Sequence, residues 1–179
     1  HGTAIVGTVS GASISYGAEY VFNQATTYDG TIVALTDSKF VVAYQDGGNA
    51  GYGTAIGGQV AGTVIGYGSE TVFNPAATKL FHSGGVTRLL STAFAVGYEN
   101  DSNDDGRVIV GTVSDTAITF GHQVSFKAGS ASSDVTVVGL SPKFVVAWDD
   151  ESNSDYGTAK IGMISTNREG VYLPLILRN

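Results

Sequence analysis

Lys39-Phe40-Val41-Val42-Ala43-Tyr44 is the most informative run of this chain. Successive side chains of a strand point to opposite faces, so a strand wet on one side alternates apolar with polar. Here both faces are apolar from Phe40 to Tyr44. The run is read as a strand covered on both sides, lying in a sheet between two neighbouring sheets. It returns as Ala93-Phe94-Ala95-Val96-Gly97-Tyr98 and again as Lys143-Phe144-Val145-Val146-Ala147-Trp148. The chain is therefore repetitive, and the repeat must be understood before anything else.

Working outward, two further markers recur in the same phase. Gly2-Thr3-Ala4-Ile5 returns as Gly53-Thr54-Ala55-Ile56, as Gly106-Arg107-Val108-Ile109 and as Gly157-Thr158-Ala159-Lys160. Ser15-Tyr16-Gly17 with Val21-Phe22-Asn23 returns as Gly66-Tyr67-Gly68 with Val72-Phe73-Asn74, and as Thr119-Phe120-Gly121 with Val124-Ser125-Phe126. Each unit holds four strand-like runs: a (3–9 in the first unit), b (13–22, with Gly17 as a bulge or bend), c (31–35) and d (39–45). No helix-length window places apolar residues at i, i+3, i+4 and i+7, and glycine-rich turns interrupt the chain throughout.

The expected fold is all-β, with antiparallel four-stranded repeat units resembling β-propeller blades. The alternatives are a β-trefoil, which also uses three four-stranded repeats, and a stacked-sheet or sandwich arrangement. One β-repeat domain is expected over 1–165, with units near 1–51, 52–104 and 105–155 and a partial fourth at 156–165. An apolar tail follows at 166–179. A unit that stops after run a leaves a bare sheet edge, which proteins rarely tolerate.

Composition narrows the function. The net charge is −7 and no Lys/Arg cluster is present, which argues against a nucleic-acid partner. There is no cysteine, which removes disulfides, thiolate metal sites and cysteine nucleophiles. The apolar runs are too short to span a bilayer as helices. The chain begins at His1 without a Met and is read as a processed product, a fragment or part of a longer chain.

The pattern Phe-Val-Val-Ala-Tyr-x-Asp-x-x-Asn-x-x-Tyr-Gly-Thr-Ala, present at 40–55 and 144–159, resembles long bacterial secreted proteins that carry many tandem blade-like units. The tail Val171-Tyr172-Leu173-Pro174-Leu175-Ile176-Leu177 resembles the C-terminal ends of exported proteins from some filamentous bacteria. These resemblances imply a propeller-like fold and an extracellular or cell-surface address, reached after removal of a signal peptide.

Three groups of residues are candidates for function. The d-to-a loops are rich in carboxylates and amides. Asn100, Asp101, Asn103 and Asp105 of the second, with Asp150, Asn153 and Asp155 of the third, could offer calcium its oxygen ligands. The same residue types also make Asx turns that cap the backbone. Tyr44, Tyr98 and Trp148 stand before those loops and could stack on sugar rings or fill the core. The apolar, β-prone tail residues Val171, Tyr172, Leu173, Leu175, Ile176 and Leu177 could add a strand to a neighbouring subunit or dock on their own domain. His1, His82 and His122 occupy no matching repeat positions, and no nucleophile elbow, zinc motif or phosphate loop is present.

The sequence thus predicts a non-enzymatic extracellular structural protein, a fibre subunit or adhesive module that assembles with copies of itself through sheet edges and tail. A glycan-binding module with a polysaccharide partner is the alternative. A glycoside hydrolase with an unrecognised acidic pair is weaker. Calcium is the one cofactor the loops could hold.

Overall fold

The computed structural model describes residues 1–80, 84–129 and 132–164. Fifteen strands follow in order: β1 (Gly2–Ser10), β2 (Ser13–Asn23), β3 (Thr27–Ala34), β4 (Lys39–Asp46), β5 (Tyr52–Ala61), β6 (Val64–Tyr67), β7 (Thr71–Lys79), β8 (Val86–Leu90), β9 (Ala93–Asn100), β10 (Asp105–Ser114), β11 (Ala117–Phe120), β12 (Val124–Lys127), β13 (Ser132–Gly139), β14 (Lys143–Asp150) and β15 (Tyr156–Met163). The protein is all-β, and every paired strand is antiparallel. No sheet closes into a barrel, the closure on which a trefoil is built.

The strands form four packed units that are out of phase with the sequence period. Run d pairs with run a of the following sequence unit: Phe40 lies opposite Gly58, Phe94 opposite Gly111 and Phe144 opposite Gly162. Each complete sheet therefore runs c-d-a-b. Sheet I is β1-β2. Sheet II is β3-β4-β5 with β6 and β7 on the far side of β5. Sheet III is β8-β9-β10 with β11 and β12, and sheet IV is β13-β14-β15. Strand β7 joins II to III into one ladder, because its last residues Thr78 and Lys79 leave β5 and pair with Asn100 and Glu99 of β9.

Run b bends where the sequence places a glycine. In sheet I the pairing jumps from Ile5↔Glu19 to Gly7↔Tyr16, so Gly17 and Ala18 together oppose Val6 as a bulge. At the matching Gly68 and Gly121 the bulge widens into a break, which separates β6 from β7 and β11 from β12.

Three apolar clusters lie between successive sheets. Phe40, Val42 and Tyr44 face sheet I, while Val41 and Ala43 on the other side of β4 face sheet III. Phe94, Val96 and Tyr98 complete that second cluster. Ala93 and Ala95 on the opposite face of β9 meet Phe144, Val146 and Trp148 of sheet IV. The expected two-sided burial holds for β4 and β9. β14 alternates instead, because its Val145 and Ala147 face has no following sheet over it among the described residues.

The recurring glycines and phenylalanines explain each other. A Cβ on Gly58 would stand 2.2 Å from the Phe40 ring, and one on Gly111 2.4 Å from Phe94. A Cβ on Gly2 or Gly53 would meet Phe22 at 2.3 Å or Phe73 at 2.4 Å. The outer end of each ring lies over a backbone position that only glycine leaves bare. Between sheets, the Phe of run b meets the aromatic of the next run d. The centroids of Phe22–Tyr44, Phe73–Tyr98 and Phe126–Trp148 are 5.2, 5.1 and 4.8 Å apart.

Candidate functional site

The d-to-a loops, with the ends of run b that cross beneath them, form the most polar part of the stack. The matching residues Asp46, Asn100 and Asp150 are all buried, so each needs a partner. Asp46 accepts hydrogen bonds from the Asn23 side-chain amide at 3.0 Å and from the Gly48 backbone N–H at 3.0 Å. Asp150 is paired with Lys127 at 2.8 Å and accepts from the Ser152 hydroxyl at 2.7 Å. Asn23 and Lys127 occupy the same repeat position, directly after the Phe of run b. In both places a polar side chain of one sheet ties down the d strand of the next. The Lys127 ammonium, followed by Ser152, holds the Asp150 carboxyl below its ordinary value.

The second loop carries more charge. Carboxylate oxygens of Glu99, Asp101 and Asp104 lie within 4.8 Å of one another. The Lys79 ammonium stands 2.6 Å from Glu99 and 2.7 Å from Asp101, in the position a cation would take. Burial raises the Glu99 carboxyl above its ordinary value, and Lys79 offsets part of that rise. Asp105 turns the other way. It accepts from the Gly129 backbone N–H at 3.0 Å and pairs with Arg107 at 3.0 Å, and these two partners lower its pKa.

Of the loop residues read as calcium ligands, Asp150 is thus a buried tie and Asn100 is buried at the matching position. Asp101 and Asp105 have cationic partners in Lys79 and Arg107, and Asn103 donates to Asp105 at 2.7 Å. Asn153 and Asp155 are exposed in and beside the 3-10 turn Glu151–Asn153. The structure brings together a different acidic trio, with Glu99 and Asp104 in place of Asn103 and Asp105. Sequence reasoning missed Lys79, Arg107 and Lys127 as the partners of these loops. Lys127 directly follows Phe126, as Asn23 follows Phe22 and Asn74 follows Phe73, and that alignment could have found it.

Lys79→Met is expected to cost roughly 2 kcal/mol near neutral pH, since it leaves the buried Glu99 carboxylate unpaired. The sign follows from linkage. A carboxyl held above its unfolded pKa contributes stability that is lost as pH rises through the folded value. Removing Lys79 raises that value further, so the deficit should shrink as the pH falls toward about 4. Thermal melts of both proteins across that range check this.

Tyr44, Tyr98 and Trp148 are at most 3% exposed. They have no ring face open to a sugar, because the Phe of the preceding sheet covers them. The Tyr44 hydroxyl donates to Glu70 at 2.6 Å and that of Tyr98 to Gln123 at 2.5 Å; burial, with Glu70 beside Tyr44, raises both hydroxyl pKa values. Glu70 and Gln123 sit at the same repeat position, just past the break in run b. Trp148 Nε1 is buried without a partner among the described residues, where sheet IV has no run b. The tail residues 171–177 lie outside the described residues.

Fold and polar ties together define a class: an all-β protein of face-stacked antiparallel sheets, locked at one end by buried side-chain ties. Compared with protein-family models, with curated proteins and with solved structures, the chain matches none. No helix among the described residues is long and apolar enough to cross a membrane.

Proposed function

We propose that this chain is a non-enzymatic structural module working outside the cell, with sheets stacked as propeller-like blades and end faces that join it to further units of its kind. The observation that carries this reading is the pair of open apolar faces at the two ends of the stack. Ile5 on the outer face of sheet I is 44% exposed, whereas its repeat counterparts Ile56 and Ile109 are 3% exposed beneath a preceding sheet. Val9, Ile14, Tyr16 and Val21 share that outer face. At the other end Val145 is half-buried, with Val138, Ile161 and Met163 exposed around it, whereas its counterparts Val41 and Ala95 are fully covered.

The two faces are different halves of one recurring interface. Joining them is a head-to-tail contact, which closes into a ring or extends into a fibre. Apolar surface of this extent marks a protein contact more often than a free surface. The resemblance to secreted tandem-repeat proteins supports the extracellular address. The buried Tyr44, Tyr98 and Trp148 lend no weight to a glycan site.

Sedimentation velocity over a range of concentrations tests the proposal. Multimers are expected for the unaltered chain. Val145→Asp, which places a charge on the open face without touching the three internal clusters, should leave a folded monomer. A monomer at every concentration without the substitution would contradict the reading.

A further inference from the structure

Sheet I is built differently from the others on one side. β5, β10 and β15 each pair with a d strand, but β1 pairs only with β2 among the described residues. Three contacts that recur in the other sheets are half-made here. Gly58 and Gly111 lie under Phe40 and Phe94, whereas the matching Gly7 has no d-strand Phe above it. Glu70 and Gln123 accept from the hydroxyls of Tyr44 and Tyr98, whereas the matching Glu19 is exposed with no d-strand aromatic beside it. Val86 and Val137 are covered by the c and d strands of the preceding sheet. Their counterpart Ile32 is 61% exposed. Beside it lies a cleft of about 330 Å3, lined by Ala4, Val6, Ile32, Ala34 and Phe40 and rimmed by Lys39.

We infer that the free edge of β1 and this cleft are the acceptor site for a β-hairpin of the chain's own c-d type, supplied by another repeat. This rests on the reading of the chain as a module that joins further repeat units, and it names what one end receives. The d strand of the hairpin pairs with β1 through its backbone, the strand-addition mode of recognition. Its Phe lies over Gly7 and its terminal Tyr donates to Glu19. On its other face, residues matching Val41 and Ala43 cover Ile32 and fill the cleft. A bare peptide with alternating apolar residues lacks two of these features, the ring over glycine and the hydroxyl at Glu19.

The test uses the full chain and a synthetic hairpin of residues 27–46. Saturable one-to-one binding is expected, with slowed amide exchange at residues 3–8. The peptide carrying Tyr44→Phe, or the chain carrying Glu19→Ala, should bind about tenfold more weakly, the loss of one hydrogen bond to a charged acceptor. The two changes together should cost no more than either alone. Ile32→Asp should abolish binding, and Val145→Asp, on the far end face, should leave it unchanged. That last variant keeps a failure here distinct from a failure of end-face assembly.

As a second readout, a copy of residues 27–51 placed directly before His1 should raise the melting temperature by more than about 5 °C. The inference is overturned by absence of binding together with an unchanged melting temperature, by protection at β3 and β4 instead of β1, or by a peptide of residues 171–179 displacing the hairpin. Slow exchange at residues 3–8 that depends on chain concentration without any peptide would also overturn it, by assigning the edge to a second copy.

Discussion

Gly111→Val is expected to destabilise the protein by about 3 kcal/mol or more, the upper range for overpacking a filled core. A single added Cβ would stand 2.4 Å from the Phe94 ring and 3.0 Å from that of Phe120. The Phe94 ring has no room to withdraw. Phe94 is fully buried between sheets II and III, and Phe120 is held edge-on against both Phe94 and Phe73 at centroid distances of 5.7 and 5.6 Å. β10 is also paired on both sides, by β9 and by β11 and β12, so backbone displacement would break two ladders at once. Chemical denaturation of the two proteins measures the loss. The same substitution at Gly66, where a Cβ would meet nothing within 4 Å, serves as the comparison and should cost far less.

The second large effect is expected from Phe94→Ala, at about 3–5 kcal/mol for emptying a buried aromatic site. Phe94 belongs to the central cluster with Val41, Val96 and Ile109, so the cavity opens where sheets II and III meet. Combining it with Gly111→Val tests whether ring and glycine are coupled. The valine would grow into the space the ring has left, so the double variant should be at least about 1 kcal/mol more stable than the sum of the single losses predicts. Strict additivity would mean that ring and glycine do not depend on each other.

The sequence displayed the strands and hid their partners. Two-sided apolarity in Phe40-Val41-Val42-Ala43-Tyr44 already implied a sheet on each side, and β14 alternates where, among the described residues, no following sheet covers it. Periodicity says nothing about where a repeat is cut, so units reading a-b-c-d did not reveal sheets reading c-d-a-b. The pairing of Gly58, Gly111 and Gly162 with the phenylalanines of the preceding run d fixes that boundary, and it joins residues from different sequence units.

The candidate site was legible only as loop chemistry. Asp46, Asn100 and Asp150 stand at one repeat position, but acidic loops look alike whether they are wet or buried. What makes the loops structural is a cation or amide at the end of the preceding run b: Asn23 on Asp46, Lys79 on Glu99 and Asp101, and Lys127 on Asp150. The aromatics were ambiguous for the same reason. Tyr44, Tyr98 and Trp148 end their strands beside polar loops, and only the Phe of the neighbouring sheet decides that they are core.

Each complete sheet is assembled across the sequence boundary, from runs c and d of one unit and a and b of the next. Comparing the thermal unfolding of two shortened chains tests it most directly. Residues 27–179 keep sheets II to IV whole, whereas residues 52–179, cut at the sequence repeat, strip β3 and β4 from β5 and uncover Phe94, Val96 and Tyr98. One cooperative transition is expected for 27–179 and a much lower or absent one for 52–179. If 52–179 unfolds at the same or a higher temperature, the sheets are not built in this order.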